Sequence, residues 1–358
     1  MTPRAWVGVL MVVGCAEPRP PQAVQTPAPV RVPESTPEPE PAPPTREPET
    51  APAPIPPAQP TMTRAGARTV VTIPETPEDI LAVPGGVVWT QSGEVWAAFD
   101  DADAPTKLSA LVDPHGLATD GVTVWWLGDT ENGRWDLKVR THATWRTFGR
   151  AGEQAAVAYG DAVYGRGTGA LWRFEGQSAR RIPFRFDAQW RALAGLGAGH
   201  DRVVFPVLAR LPDRIAKLYV RVRGSGKSAT FETRVRPKPG RWAVNRAGDL
   251  AFLRKGEVAL VRASAKTPKV ALSDPDVRLL CWCGDRLCTV AHGVLRRHVK
   301  KEVEPVAEVG EAERLSCGTD RFAWLVTQAE ERSELSTQLW PAGDHVPARG
   351  PSRAGSKG

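Results

Sequence analysis

The chain has 358 residues, among them 34 prolines, 33 glycines, 13 tryptophans and five cysteines, and its 47 basic and 40 acidic side chains leave a formal net charge of +7. Seventeen of the prolines fall between residues 16 and 60, which excludes that stretch from any packed core. The remainder is long enough to bury a large one.

The first element is an apolar run. Arg4 and the free amine give a positive start, and Ala5 to Val13 supply nine mostly apolar residues. Nine helical residues span roughly 14 Å against ~30 Å of hydrocarbon, so the run cannot cross a bilayer as a permanent helix. It reads as an export signal that is removed. Its end, Val12-Val13-Gly14-Cys15, resembles the lipobox of bacterial lipoproteins. The resemblance implies a diacylglyceryl thioether on Cys15, cleavage after Gly14 and acylation of the new N-terminus. Ala16 stands where Asp would favour the inner membrane, so the resemblance also implies attachment to the outer membrane, on its periplasmic or outer face. Several acyl chains at ~0.8 kcal/mol per buried methylene make a lasting anchor.

Residues 1–14 are thus expected to be a signal peptide and 15–64 a lipidated Cys with a tether. The tether's Pro, Ala, Glu and Thr carry no apolar periodicity and favour an extended, partly polyproline-II spacer. At ~3.1 Å per residue its 45 residues reach up to about 140 Å.

A repeat follows over residues 65–340. A turn residue and an alternating apolar strand recur seven times, in Gly86-Val87-Val88-Trp89, Asp120-Gly121-Val122-Thr123-Val124-Trp125, Asp161-Ala162-Val163-Tyr164, Asp201-Arg202-Val203-Val204-Phe205, Asp249-Leu250-Ala251-Phe252, Asp285-Arg286-Leu287-Cys288 and Asp320-Arg321-Phe322-Ala323-Trp324. From Asp120 the spacings are 41, 40, 48, 36 and 35 residues. A weaker strand follows each, as in Glu94-Val95-Trp96 and Glu257-Val258-Ala259-Leu260, after turns such as Gln91-Ser92-Gly93. Alternation with β-branched and aromatic residues says strand, and units of about 40 residues fit four-stranded blades. The predicted fold is all-β, a seven-bladed β-propeller, with six or eight blades as variants because the fourth unit is stretched. Thr69-Val70-Val71-Thr72-Ile73 is predicted to supply the outer strand of the last blade and so close the ring. Residues 341–358 read as a disordered tail. The tryptophans are expected to pack between blades.

Besides Cys15 there are Cys281, Cys283, Cys288 and Cys317, an even number that suggests two disulfides in an exported chain. Cys281 and Cys283 share one face of a strand and are poorly placed to bond each other. A turn at Gly284-Asp285 would set Cys281 opposite Cys288 and leave Cys283 for Cys317. A turn shifted by one residue gives 283–288 with 281–317, and both pairings stay open. Separations of 1, 4 and 28 intervening residues do not resemble a zinc motif, so no metal is expected, and no cofactor.

Charge is uneven. Residues 201–301 hold 23 basic and 8 acidic side chains, and 302–340 return to a net −6. Arg221, Arg223, Lys227, Arg234, Arg236, Lys238, Arg296, Arg297, Lys300 and Lys301 make units four to six a basic sector. An exported location argues against nucleic acid as its partner. An acidic envelope protein or anionic envelope polymer is the expected partner, besides the membrane that holds the anchor, and a monomer is expected. The competing reading is solvated arginines on outer strands.

Other signals fail. Arg223-Gly224-Ser225-Gly226-Lys227-Ser228 lacks the leading Gly of a phosphate loop, since position 221 is Arg. Asp100-Asp101-Ala102-Asp103 lacks the Gly and closing Glu of a calcium loop and reads as an exposed turn. No nucleophile with a base is nominated, so no catalytic residue is assigned. The expected role is a lipid-anchored binding or scaffolding module without catalysis. The alternative is a propeller enzyme in which residues such as His115, Asp161 and His200 converge at the channel mouth.

Overall fold

A computed structural model of the chain describes residues 59–341, except 110–113, 129–131, 146–153, 160–161, 168–169, 176–177, 184–189, 193–194, 200–201, 210–215, 223–227, 234–237, 239, 301 and 329–331. The chain divides into Met1–Ile55 and Pro56–Gly358, and the described residues all belong to the second unit. They form strands and no helix, so none of them lies in a helix long and apolar enough to cross a membrane.

Two strands, β1 (Thr61–Ala65) and β2 (Arg68–Ile73), precede the first unit. Blade 1 is β3 (Asp79–Val83), β4 (Gly86–Gln91), β5 (Glu94–Phe99) and β6 (Thr106–Ser109). Blade 2 is β7 (Pro114–Thr119), β8 (Thr123–Gly128), β9 (Asn132–Asp136) and β10 (Thr141–Trp145). Blade 3 is β11 (Gln154–Tyr159), β12 (Ala162–Gly167), β13 (Ala170–Glu175) and β14 (Ser178–Pro183). In blade 4, β15 (Trp190–Ala192) and β16 (Gly197–Ala198) both pair with β17 (Arg202–Ala209), which continues to β18 (Ala216–Val222) and β19 (Ser228–Glu232). Among the described residues the stretched Asp201–Asp249 interval holds four strands, β17 to β19 and the first strand of blade 5, so it adds no blade.

Blade 5 is β20 (Trp242–Val244), β21 (Leu250–Arg254), β22 (Glu257–Val261) and β23 (Lys269–Ser273). Blade 6 is β24 (Val277–Cys283), β25 (Arg286–Ala291), β26 (Val294–Val299) and β27 (Glu302–Glu308). Blade 7 is β28 (Arg314–Cys317), β29 (Arg321–Thr327) and β30 (Ser333–Leu339), completed on its outer side by β2 and then β1. Every pairing is antiparallel between neighbours in the sheet, and the inner strands β3, β7, β11, β16, β20, β24 and β28 touch in sequence, with β28 returning to β3. The result is a closed ring of seven blades.

Alternation explains why β4 is buried along its whole length. Val87 and Trp89 pack with Val71, Ala323 and Leu335 between blades 7 and 1. Val88, one residue away, packs with Leu117, Val124 and Trp126 between blades 1 and 2. Each blade therefore feeds two layers from the two faces of the same strands. Tryptophans fill these layers, with Trp89 and Trp126 fully buried and Trp324 1% exposed. The indole of Trp282 in blade 6 donates to the Ala243 carbonyl in blade 5 at 3.1 Å, linking neighbours.

Closure follows the expected clasp, with β2 pairing β30 from Arg68↔Gln338 to Ile73↔Ser333 and Val71 and Ile73 fully buried. The sheet also reaches beyond the expected boundary at residue 65. Thr61–Ala65 pairs with β2, and Arg64 donates to the carbonyls of Phe99 at 3.1 Å and of Ala102 in blade 1.

The cysteines adopt the second of the two open pairings, without the shifted turn. The Gly284-Asp285 turn does set Cys281 opposite Cys288, as its sequence suggests. The bonds are nevertheless Cys281–Cys317 and Cys283–Cys288, each with Cα atoms 6.0 Å apart. The reason is geometric: Cys283 meets Cys288 along the diagonal of the twisted hairpin, which leaves Cys281 facing Cys317 of the next inner strand. No register shift is needed to reach this pairing.

Candidate functional site

Antiparallel order gives the ring two ends. Connections between blades and the turns between second and third strands lie at one end, called upper here. Turns between first and second and between third and fourth strands lie at the lower end.

Among the described residues, the basic side chains are spread over both ends of the ring. Arg223, Lys227, Arg234, Arg236 and Lys301 lie outside the described residues, and Arg221 is placed on β18 opposite Val203 and Ser228. Lys238 is exposed at the upper end before β20, whereas Lys300 is exposed at the lower end between β26 and β27. Arg296 lies 3.7 Å from Asp274, and the Arg297 Nε donates to Glu304 at 3.1 Å. Two described members are therefore matched by carboxylates.

Cys15, Asp161 and His200 also lie outside the described residues, and His115 is placed only by its backbone on β7. Of the phosphate-loop look-alike, residues 223–227 lie outside the described residues and Ser228 opens β19, which pairs with β18 as a hairpin. Aspartates of the 100–103 turn are held by arginines: Arg140 from blade 2 pairs with Asp101, and Arg321 from blade 7 with Asp100. Contact with Arg140 holds the Asp101 carboxyl below its ordinary range.

A cleft opens at the upper end between blade 6 and its connection to blade 7. Its cavity of about 250 Å³ is lined by Asp276, Arg278, His292 and Glu311, together with Gly293 and Gly310. Asp276 precedes β24, Arg278 is its second residue, and Glu311 lies on the connection to β28. His292-Gly293 is the two-residue turn between β25 and β26, with φ of 51° and 73°, the pattern of a type I′ hairpin turn. The connection docks on this turn, because the amides of Val309 and Gly310 both donate to the Gly293 carbonyl at 2.8 and 3.0 Å. A Cβ on Gly293 would meet the Gly310 carbonyl at 3.3 Å, so the close approach favours glycine there.

Acidic and basic side chains alternate across the cleft. His292 Nε2 lies 3.1 Å from Asp276, and Arg278 pairs with Glu311. All four side chains are more than half exposed. Small-molecule pockets are larger and mostly apolar, and this cleft is neither. Its chemistry suits exchange of ion pairs with another charged surface. At the same end, burial pushes the Asp79 carboxyl above its ordinary value, while the Leu117 amide and Arg314 pull it down. Asp79 accepts from the Leu117 amide of blade 2 at 3.1 Å, which makes it a link between blades. None of the four cleft residues stood out in the sequence, since they come from three segments with no common spacing.

No family model matches the chain, and no curated protein aligns with it significantly. Solved structures do align. YCF48 bound to a D1 peptide superposes with a TM-score of 0.51 at 9% identity, over 78% of this chain and 99% of that one. The Cps50 (Swd1) β-propeller domain of Myceliophteria thermophila gives 0.50 at 10% identity, over 74% and 98%. BamB from Moraxella catarrhalis gives 0.46 at 11% identity, over 78% and 100%. At such identities the first two likenesses establish the architecture: the chain is a β-propeller.

Proposed function

We propose that the chain is a lipid-anchored envelope protein whose propeller is a non-catalytic scaffold, and that it binds another protein at the upper end of blades 6 and 7. The cleft carries this reading. Exposed acidic and basic side chains are held at the start of β24, on the β25–β26 hairpin turn and on the connection docked against it. A mixed-charge surface complements a polypeptide better than a uniformly anionic polymer, and the matching of Arg296 and Arg297 by carboxylates weakens the polymer reading further. Rim charges of this kind steer association and set its salt dependence. The lipobox-like Val12-Val13-Gly14-Cys15 and the proline-rich stretch 16–60 support tethering to the outer membrane.

Affinity capture with residues 56–358 from a solubilised envelope extract, at low and high salt, tests the binding role. The expected result is a discrete protein that is lost as salt rises and lost with Arg278→Glu or Glu311→Lys. Capture that neither variant changes would overturn the assignment of the cleft. Anchoring is tested separately: Cys15→Ala should move the protein from the outer-membrane fraction to the soluble fraction and abolish labelling by a tagged fatty acid.

A further inference from the structure

Cys281, Cys283 and Cys288 lie on one face of the β24–β25 hairpin, and Cys317 meets them from β28 of the next blade. The two disulfides touch. Cys283 Sγ lies 3.9 Å from Cys281 Sγ and 3.7 Å from Cys317 Sγ, and these three sulfurs all fall within 4.8 Å of one another. The fourth sulfur, on Cys288, is bonded to Cys283. All four therefore form one knot, buried but for a partly exposed Cys317 at the lower end.

A tetrahedral thiolate site with metal–sulfur bonds of ~2.3 Å has sulfur–sulfur edges of about 3.8 Å. The two non-bonded separations already have this length. Leu279, Val290, Phe322 and Trp324 pack around the knot with apolar side chains. Soft thiolates in that setting select soft, closed-shell cations. In the ladder Arg286 stands opposite Cys283 and Arg297, itself paired with Glu304, opposite Cys288. Positive charge beside a thiol favours its thiolate.

We propose that the reduced cluster binds one thiophilic d¹⁰ cation, with zinc as its simplest occupant, and that this cation joins blades 6 and 7 in place of the disulfides. A dithiol reductant gives two electrons and two protons to each disulfide and is itself oxidised to a disulfide. The four thiols then release four protons as the cation binds their thiolates. Sequence spacing hides such a site, because its fourth ligand comes from a neighbouring blade. The inference stands apart from the cleft and does not depend on the protein-binding role.

The test uses the full chain carrying Cys15→Ser, reduced under nitrogen with a phosphine, desalted and titrated with cobalt(II). One equivalent should give the sulfur-to-cobalt charge-transfer band and intense visible bands of a tetrahedral thiolate site. Zinc should displace the cobalt and shield all four cysteines from iodoacetamide. Cys317→Ser and Cys288→Ser should each weaken binding by roughly 100-fold or more, beyond what outer-shell changes cost. Weak octahedral cobalt bands, or alkylation at the same rate with and without zinc, would overturn the proposal. So would a reduced chain that loses its β circular dichroism and does not regain it with zinc.

Discussion

Arg321 and Asp100 stand 221 positions apart and meet across the seam between blades 7 and 1, where the two terminal guanidinium nitrogens of Arg321 donate to the two carboxylate oxygens of Asp100 at 2.9 and 2.6 Å. The Arg321 side chain is 3% exposed and also lies 3.2 Å from Asp320. Burial works to lower its pKa, but the two carboxylates win and hold it above the ordinary value. Asp320 Oδ2 further accepts from the Gly85 amide at 3.3 Å. The seam thus has a charged clasp inside the strand clasp of β2 on β30.

Asp100→Ala should lower stability by about 1–2 kcal/mol. A fully buried pair that loses one partner costs ~3–5 kcal/mol, and the 44% exposure of Asp100 together with the remaining Asp320 reduces that. Urea unfolding measures the loss. A double variant with Arg321→Met should be more stable than the sum of the two single losses, because the stranded charge is gone.

Removing residues 1–58 should leave the melting transition unchanged, since the described strands begin at Thr61. Removing 1–74 takes away β2 with the fully buried Val71 and Ile73, each contributing about 1.5–3 kcal/mol of burial, and bares the edge of β30. Size-exclusion chromatography of the two truncations should show a monomer for the first and aggregate for the second.

The two disulfides should contribute unequally. They close loops of 36 and 5 residues, worth about 4 and about 2 kcal/mol respectively in the loop-entropy account. Guanidinium unfolding under oxidising conditions should therefore show a larger loss for Cys317→Ser than for Cys288→Ser. Equal losses would mean that packing of the sulfurs, not loop closure, dominates.

His298 gives stability a pH dependence. Burial of its ring holds the pKa below its ordinary value, Arg296 adds to this and Asp274 opposes it. As pH falls, the unfolded chain takes up the proton first, near pH ~6.5. The contribution is therefore complete above the unfolded pKa and is lost as pH falls from there towards the lowered folded value. Urea midpoints at about pH 7.5 and about pH 5.5 should differ less in His298→Gln than in the natural chain.

Much of the fold was legible because its signals are local. A turn residue followed by alternating apolar positions marks each second strand, and Thr69–Ile73 shows the same alternation that pairs it with β30. What escaped depends on distance. Thr61–Ala65 carries little apolar pattern and is held by Arg64 reaching carbonyls near residue 100. The basic run of Arg296 and Arg297 is visible as charge, yet Asp274 and Glu304, which match it, lie on other strands or connections. The cleft is assembled from Asp276, Arg278, His292 and Glu311, whose proximity only the ring creates. The cysteine pairing likewise turns on a diagonal and a neighbouring blade, which register alone cannot supply.

Hydrogen exchange of residues 56–358, alone and with the captured protein, tests the central claim most directly. Binding at the cleft should slow exchange of the amides at 276–280, 292–294 and 309–312 and leave the lower end unchanged. Protection confined to the lower end, or to the outer strands of blades 4 and 5, would contradict the account.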